Sequence, residues 1–302
     1  MYILKPILDM FWKNVEISDE KRIASQTPTP GIEQILDIPY IDDNTREHLL
    51  DIYYPEGTTE PLPVIIDIHG GGWMYGYKEI NKYFCLKLAA KGFLVASINY
   101  RLAGNVMFDD QIRDIFAAFK WLSDNLKNYP ADTDNIFLAG DSAGGHFACV
   151  STAVNADESL QKEFCVEPNN IRFSAVAAIS PAVELLSGGI AMTANLPLLL
   201  GSQPKNSPFY KYMDIKNYVS AAFPPVYILT SMGDMLRKQS YILAEVLKSH
   251  GVDHRLHDFS DKVNGKRLPH VFSVIDPYTD PAEQANTEIA EFFKARVKEK
   301  TV

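Results

Sequence analysis

The sequence predicts an α/β fold in which a mostly parallel sheet is flanked by helices. Short apolar runs alternate with segments of helical period along most of the chain, which is the pattern of βαβ units. One of these runs passes into a helix through the glycine-rich residues 140–145, which contain a serine, and another is followed by three successive glycines at 70–72. Both turns lie at the carboxyl end of a predicted strand, where open α/β sheets build their sites.

Eight strands and five helices follow from these periods. The predicted strands cover 35–40, 48–54, 63–68, 93–99, 135–139, 173–179, 225–231 and 253–259, and the first two are expected to form an antiparallel edge. The predicted helices cover 80–91, 109–127, 143–156, 237–250 and 282–299. The 302 residues, 46% of them hydrophobic, predict a single domain, 1–302, with a helical cap formed by 1–30 and an insertion at about 182–219.

Composition narrows the expected partners and compartment. The net charge of −9 and the lack of a basic stripe argue against nucleic acid as a partner. Three widely spaced cysteines, Cys85, Cys149 and Cys165, are expected to be buried free thiols, which favours a reducing compartment. Lys5 and Asp9 interrupt the apolar N-terminal stretch, so neither a signal peptide nor a membrane-spanning helix is expected. These features predict a cytoplasmic protein without stable membrane insertion.

The N-terminal segment carries one apolar face at helical spacing. That face is formed by Leu4, Ile7, Leu8, Phe11, Trp12 and Val15. Interfacial membrane helices usually carry more Lys and Arg on the polar face than this segment does. Packing of the face against the body of the protein is therefore favoured over membrane contact.

Ser142 is the leading candidate for a catalytic nucleophile. It lies in Gly-Asp-Ser-Ala-Gly-Gly, 140–145, between an apolar strand and a predicted helix. A strand that turns directly into a helix forces strained backbone on the residue at the turn, which requires small neighbours two positions away. Gly140 and Gly144 satisfy that requirement, and the helix N-terminus favours negative charge developing beside the hydroxyl. An ordinary glycine-rich turn is the alternative for this motif on its own.

The triple glycine predicts an oxyanion hole. It lies in His-Gly-Gly-Gly-Trp, 69–73, directly after a buried strand. Acyl transfer needs two or three fixed N–H donors for the oxyanion, and the amides of Gly71, Gly72 and Ala143 are the candidates. A phosphate-binding loop is the alternative, but the glycines lack the register of such loops and no Gly-Lys-Ser/Thr follows. His69 is expected to brace the loop by hydrogen bonding.

An acid and a histidine follow in the chain order that a serine hydrolase of this fold would need. Asp234 comes after the apolar strand 225–231, and His270 lies in a loop after the last predicted strand. Asp234 orienting His270 would complete a Ser-Asp-His triad, whereas helix capping is the alternative role for Asp234. The other downstream histidines, His250, His254 and His257, are expected to be structural or solvent-facing. His254 and His257 do not form a metal pair, because ligands on one strand face need an even separation. Hydrolysis by a Ser-Asp-His triad requires no metal or organic cofactor, and none is predicted.

The chain order Ser142, Asp234, His270 is that of the α/β-hydrolases. Together with His-Gly-Gly-Gly-Trp at 69–73 and Asn-Tyr-Arg-Leu-Ala at 99–103, these motifs make the chain resemble hormone-sensitive-lipase-like (bacterial family IV) carboxylesterases from about residue 60 onward. The resemblance implies an α/β-hydrolase fold with a helical cap and hydrolysis of a small-molecule carboxylic ester. Family members usually continue the second motif with Pro-Glu, but Gly104-Asn105 follows here. Many also place Gly after the catalytic histidine, where this chain has Val271.

The cap is expected to set specificity. Two stretches rich in large apolar side chains are predicted to line a pocket for a short or medium acyl group. The candidates are Trp73, Met74 and Tyr75 after the glycines, and Leu198, Leu199 and Phe209 in the insertion.

Three other functions stay open from the sequence. Arylformamidases resemble this chain in the His-Gly-Gly-x-Trp loop and the triad, so a formamide is an alternative substrate. A non-catalytic ligand receptor on the same fold is less compatible with retention of Ser142, Asp234 and His270. An interaction domain, or a homo-oligomer formed through the last strand and helix, would accompany catalysis rather than replace it.

Overall fold

Eight strands form one continuous sheet. A computed structural model describes the backbone of residues 5–298 and the side chains of residues 10–189 and 192–298. The strands are β1 (Ile32–Pro39), β2 (Leu49–Pro55), β3 (Leu62–Ile68), β4 (Leu94–Ile98), β5 (Ala131–Asp141), β6 (Phe173–Ile179), β7 (Val226–Ser231) and β8 (His254–Phe259). Two further strands, β9 (Lys262–Val263) and β10 (Lys266–Arg267), form a small separate hairpin.

The strand order is β1-β2-β4-β3-β5-β6-β7-β8. β2 is antiparallel to both β1 and β4, and the remaining pairs are parallel. The predicted fold class and its antiparallel edge are therefore confirmed. Because β3, β5, β6 and β7 are adjacent and parallel, the loops at their carboxyl ends meet along one edge of the sheet.

Helices flank the sheet and follow most of its strands. They are α1 (Lys5–Ser25), α2 (Lys82–Ala89), α3 (Phe108–Asn125), α4 (Ala143–Ala156), α5 (Glu158–Phe164), α6 (Ile190–Thr193), α7 (Leu196–Leu200), α8 (Arg237–Ser249), α9 (Phe272–Ile275) and α10 (Asp280–Lys294). Short 3₁₀ turns cover Arg46–His48, Lys78–Ile80, Leu126–Asn128, Pro204–Asn206, Pro208–Met213 and Ile215–Asn217. The insertion at 182–219 thus consists of short helical turns rather than long helices.

The core lies on both faces of the sheet because successive strand residues point in opposite directions. Ile65 and Phe137 are paired across β3 and β5 and pack on the side of the C-terminal helix α10. Ile66 and Leu138, the next pair, pack on the opposite side, against helices α3 and α4. Strands buried on both faces give continuous apolar runs instead of alternation, which is why the sequence showed them clearly.

Three sequence predictions need correction. β5 begins at Ala131 rather than 135, because residues 131 and 132 pair with Leu62 and Pro63 despite the polar stretch that follows. α10 ends at Lys294 rather than 299. The prediction that every cysteine is buried is wrong for Cys165, which is exposed and caps α5 in a left-handed conformation.

Helix α1 lies partly against the body of the protein. Trp12 stacks on Tyr75 with ring centroids 5.2 Å apart, whereas Phe11 is 55% exposed and touches Trp12 by its edge. Among the other predicted members of the apolar face, Val15 is partly buried. Leu4 and the side chains of Ile7 and Leu8 lie outside the described residues. Within the described part of the chain, no helix has the length and apolar character needed to cross a membrane.

Candidate active site

Ser142 lies at a sharp turn between β5 and α4. Its backbone is strained, with φ 54° and ψ −115°, and its amide donates to the carbonyl of Ile179 at 2.9 Å. A Cβ atom on Gly140 would lie 2.3 Å from the carbonyl oxygen of Gly144, and one on Gly144 would lie 2.0 Å from that of Ile68. Both glycines are therefore required by close backbone packing, as the sequence predicted. The turn leaves the Ser142 hydroxyl at the carboxyl edge of the sheet.

Ser142, His270 and Asp234 form one hydrogen-bonded chain. His270 Nε2 is 2.9 Å from Ser142 Oγ, and His270 Nδ1 is 2.6 Å from Asp234 Oδ1. Asp234 also accepts the hydroxyl of Thr230 at 2.7 Å and the amide of Leu236 at 2.8 Å. Asp234 is therefore not the N-cap of α8, which is Leu236, although its carboxylate accepts the amide of that residue. Burial alone would raise the pKa of Asp234, but the hydrogen bonds from His270 and Leu236 hold it below its usual value.

The loop that carries His270 is held by serines that the sequence did not single out. Ser231 Oγ, at the end of β7, is 2.8 Å from the carbonyl oxygen of Leu268 and 3.2 Å from that of Pro269. Ser180 Oγ accepts the amide of Val271 at 3.3 Å. Val271 has φ 49°, which strains a β-branched residue. The signal in the sequence was the unusual Pro269-His270-Val271 triplet, although it did not reveal which residues brace the loop.

The glycine loop leaves backbone amides unpaired beside Ser142. Gly71 and Gly72 have φ of 117° and 59°, and a Cβ on Gly71 would lie 1.9 Å from the carbonyl oxygen of Tyr75. The amide of Gly70 is held by Asp141 Oδ1 at 2.9 Å. By contrast, the amides of Gly71, Gly72 and Ala143 donate no hydrogen bond to any described residue. They are free to receive an anionic oxygen.

His69 braces this loop from below. Its ring is buried, stacks on Tyr100 at 4.4 Å and places Nδ1 2.7 Å from the carbonyl oxygen of Gly70. Because that oxygen accepts, Nδ1 carries the proton. Burial lowers the pKa of His69 to about 4, so the ring is neutral near neutral pH.

His146, which the sequence analysis did not identify, connects three parts of the site. It lies buried in α4 and accepts the indole N–H of Trp73 on Nδ1 at 3.2 Å. Its Nε2–H donates to the carbonyl oxygen of Tyr212 in the insertion at 2.8 Å. Burial lowers the pKa of His146 to about 4. In the sequence, His146 follows Gly144 and Gly145 of the turn at Ser142, and nothing in that motif indicates this role.

A cavity of about 310 Å³ lies beside the glycine loop. The indole of Trp12 forms part of its wall and would lie 2.7 Å from a Cβ on Gly72, so Trp12 covers that glycine directly. The indole nitrogen of Trp12 is buried and has no hydrogen-bond partner among the described residues. The remaining lining residues are Lys13, Glu16, Met74, Tyr75, Leu102, Ala103, Gly104, Asn105 and Leu198.

Three of the six predicted pocket residues, Met74, Tyr75 and Leu198, thus meet around this cavity. The other three have protein contacts elsewhere. Trp73 is 2% exposed and bonded to His146, Leu199 is fully buried, and Phe209 packs on Phe164 with ring centroids 4.7 Å apart.

The other three histidines downstream of Asp234 contact groups outside the triad. His250 Nδ1 is 2.9 Å from its own helix carbonyl at Val246, and His254 Nδ1 lies at the same distance from the carbonyl oxygen of Val252. His257 pairs with Glu288 at 2.6 Å. Among the described residues, no three His, Cys, Asp or Glu side chains are grouped so that they could hold a metal ion.

Comparison with known proteins places this geometry in a family. The model of the BD-FAE family matches residues 50–247. The chain is 26% identical over 242 residues to the versiconal hemiacetal acetate esterase of Dothistroma septosporum, covering 74% of this chain and 70% of that protein. It is also 26% identical over 267 residues to the carboxylesterase NlhH of Mycobacterium tuberculosis, covering 83% and 77%. Several other curated esterases are longer, and the chain spans less than half of their length.

Solved structures agree in fold and in named activity. Esterase B of Lactobacillus rhamnosis superposes with a TM-score of 0.90 at 27% identity, over 97% of this chain and 94% of that one. The same enzyme is also known in a form inhibited by a tributyrin phosphonate. The chain therefore belongs to the BD-FAE family and is a carboxylic ester hydrolase with the α/β-hydrolase fold.

Proposed function

We propose that this carboxylesterase hydrolyses short- to medium-chain esters through an acyl-enzyme formed on Ser142. The observation that carries the proposal is the continuous hydrogen-bonded chain from Ser142 Oγ through His270 to Asp234, at 2.9 and 2.6 Å. Such a chain activates a hydroxyl that is otherwise a weak nucleophile at neutral pH.

In the first half of the reaction, Ser142 Oγ attacks the acyl carbon while His270 Nε2 accepts its proton. Asp234 fixes the tautomer of His270 with the proton on Nδ1 and stabilises the imidazolium that forms. The amides of Gly71, Gly72 and Ala143 bind the oxyanion of the tetrahedral intermediate. Collapse of this intermediate breaks the ester C–O bond, and His270 returns the proton to the leaving alcohol.

In the second half, a water molecule takes the place of the alcohol. His270 accepts a proton from this water as the hydroxide attacks the acyl carbon, and the same amides hold the second oxyanion. Collapse breaks the bond between the acyl carbon and Ser142 Oγ, His270 returns the proton to Oγ, and the carboxylic acid is released. Each step uses groups of this chain alone.

The substrate range rests on the cavity beside the glycine loop. A volume of about 310 Å³, lined by Trp12, Met74, Leu102 and Leu198 together with the polar Lys13, Glu16 and Asn105, suits a short group better than a long lipid chain. Inhibition of the similar Esterase B by a tributyrin phosphonate points in the same direction, since tributyrin is a butyrate ester.

The first test is hydrolysis of p-nitrophenyl esters from acetate to palmitate. We expect a maximum at short chains, and Ser142→Ala to lower kcat by about 10⁴- to 10⁶-fold. Ser151→Ala is the matched control, because Ser151 is a buried serine of α4, the helix that Ser142 begins, and its hydroxyl has no hydrogen-bond partner in the described part of the chain. A wild-type rate that survives Ser142→Ala would refute the nucleophile. Formylkynurenine is assayed in parallel. If it is turned over faster than every ester, the preferred substrate is a formamide and not an ester.

A further inference from the structure

Two buried carboxyl groups lie directly behind the glycine loop. Asp67 in β3 is fully buried, and Asp141 at the end of β5 is 5% exposed. One amide nitrogen, Asn81 Nδ2, contacts both carboxyls, at 3.0 Å from Asp67 Oδ2 and 2.9 Å from Asp141 Oδ1. The mechanism above uses neither group as an acid, base or nucleophile.

No cation neutralises this pair within the described residues, since neither carboxyl forms an ion pair there. The titratable groups facing the pair are the thiol of Cys85, the phenol of Tyr100 and the imidazole of His270. Lys78, on the neighbouring turn, forms its ion pairs with Asp37, Asp51 and Glu79 instead. Two charged carboxylates held close together in a dry site without a cation are strongly disfavoured, so one of them retains a proton.

The hydrogen bonds indicate which carboxyl is neutral. Asp141 Oδ1 accepts two N–H groups, from Gly70 and Asn81, both at 2.9 Å. Asp67 Oδ2 accepts Asn81 Nδ2 at 3.0 Å and weaker contacts from Ser97 at 3.3 Å and the Cys85 thiol at 3.5 Å, whereas Asp67 Oδ1 has no partner among the described residues. Burial, with the charge on Asp141 second, raises the pKa of Asp67 to about 7. The unpaired oxygen of Asp67 is the natural place for the proton.

We propose that the pair of Asp67 and Asp141 carries one negative charge, which resides on Asp141, and that neutral Asp67 acts as a positioning residue by keeping the Asp141 carboxylate in place against the oxyanion loop. Asp141 packs against Gly70 so closely that a Cβ there would lie 2.4 Å from Asp141 Oδ2. Its carboxylate fixes the Gly70 amide and thereby the position of Gly71 and Gly72. The catalytic half of this proposal rests on the proposed function of that loop, whereas the shared proton does not.

The shared proton is tested on the intact protein by infrared difference spectroscopy between about pH 5 and pH 9, through the carbonyl stretch of a neutral carboxylic acid. We expect a buried acid band that disappears near pH 7 in the wild type and is absent in Asp67→Asn. Asp51→Asn is the control, because Asp51 is equally buried but paired with Lys78 at 2.9 Å, and it should leave the band intact. A wild-type protein without such a band overturns the proposal.

A second variant covers the case in which Asp67→Asn does not fold. Ser97→Ala removes a hydrogen bond that favours the charged form of Asp67, so the band should disappear at a higher pH than in the wild type. An unchanged midpoint would assign the band to another residue and overturn the proposal.

Thermal unfolding gives the same test through stability. A folded pKa raised above the ordinary 3.8 means that the folded protein keeps a proton that the unfolded chain has lost. The contribution of Asp67 to the stability of the wild type is therefore fully present below pH 3.8 and is lost as the pH rises through about 7. The Tm of Asp67→Asn minus that of the wild type should rise across this window, and a constant difference contradicts the proposal.

The positioning role is tested by kinetics with p-nitrophenyl butyrate. In the wild type we expect kcat to fall above pH 7, because loss of the Asp67 proton puts a second negative charge beside Asp141. Asp67→Asn should lack this fall, with KM unchanged. Identical pH profiles would overturn the positioning role. A wild type inactive on every ester would instead refute the proposed function, while the infrared and thermal results would still decide the shared proton.

Discussion

The carboxyl edge of the sheet and the cap segments are built in different ways. At the sheet edge, glycines such as Gly140 and Gly144 are enclosed by backbone atoms, and His270 is bonded on both ring nitrogens. In the cap segments, glycines such as Gly189 and Gly201 have open space around them, and Met10 on α1 is 64% exposed. The edge is thus enclosed by close contacts, whereas the segments that we propose as a cap expose apolar surface.

This difference separates chemistry from selectivity. Catalytic groups need fixed positions, which strand ends supply, while substrate preference is set by segments that vary without disturbing the sheet. The hydrogen bonds that connect the two regions include the Ala182 amide to the Ser142 carbonyl oxygen at 3.0 Å, Tyr75 to Asp19 at 2.9 Å and His146 to Tyr212 at 2.8 Å. Substitutions at the edge should therefore change kcat, and substitutions in the cap should change the ratio between substrates.

The largest expected effect is at the sheet edge, with Asp234→Asn. The variant keeps the shape of the side chain but presents an N–H or a neutral oxygen to His270 Nδ1, which loses the correct tautomer. We expect kcat to fall by about 10⁴-fold with KM little changed. Asp258→Asn is the control, because Asp258 pairs with Arg237 at the end of β8, and its kcat should stay within a few-fold. Equal losses in both variants would show a general effect on stability instead.

An intermediate effect is expected where the two regions are connected, with His146→Ala. The variant leaves the Trp73 indole and the Tyr212 carbonyl unpaired and opens a cavity, which should lower the free energy of unfolding by about 3 kcal/mol. Burial lowers the pKa of His146 to about 4 in the folded protein. Between that pH and the ordinary pKa of 6.5, the unfolded chain binds a proton at this histidine and the folded protein does not. The contribution of His146 to the stability of the wild type is therefore present above pH 6.5 and is lost as the pH falls towards about 4.

Denaturant titrations from about pH 4 to pH 8 measure this effect. The gap in stability between the wild type and His146→Ala should be largest at pH 7 to 8 and narrow towards pH 4. His250→Ala, an exposed histidine at the end of α8, should shift stability by less than about 0.5 kcal/mol at every pH. A gap that is independent of pH would mean that the folded protein does not exclude the proton from His146.

The same division governs how much the sequence predicted. The fold class, the strands β3 to β7 and the motifs around Ser142, Asp234 and His270 were accessible because buried strands and glycine-rich turns have local signatures. The structure brings these three side chains into one hydrogen-bonded chain. The bracing residues Ser180, Ser231 and His146 were not accessible, because a buried serine or histidine acquires its partner only through tertiary packing.

The cap was the least predictable region for a related reason. Large apolar side chains are equally suited to a core and to a pocket, so Trp73 and Leu199 looked the same as Met74 and Leu198 in the sequence. Trp12 was identified only as one member of an apolar helical face, and its contact with Gly72 depends on how α1 meets the glycine loop. Nothing local in the sequence determines that contact.

The smallest expected effect, and the sharpest test of the comparison, is Trp12→Ala in the cap. Removing the indole enlarges the cavity of about 310 Å³ beside Gly72, so longer acyl groups gain room without any change in the triad. We expect the ratio of kcat/KM for octanoate over butyrate to rise about tenfold, equivalent to about 1.4 kcal/mol of differential transition-state binding. Met10→Ala removes an exposed apolar side chain of the same helix and should leave the ratio unchanged. If Trp12→Ala instead lowered kcat equally for all chain lengths, Trp12 would support the oxyanion loop rather than select the substrate, and the cap would share the catalytic role of the sheet edge.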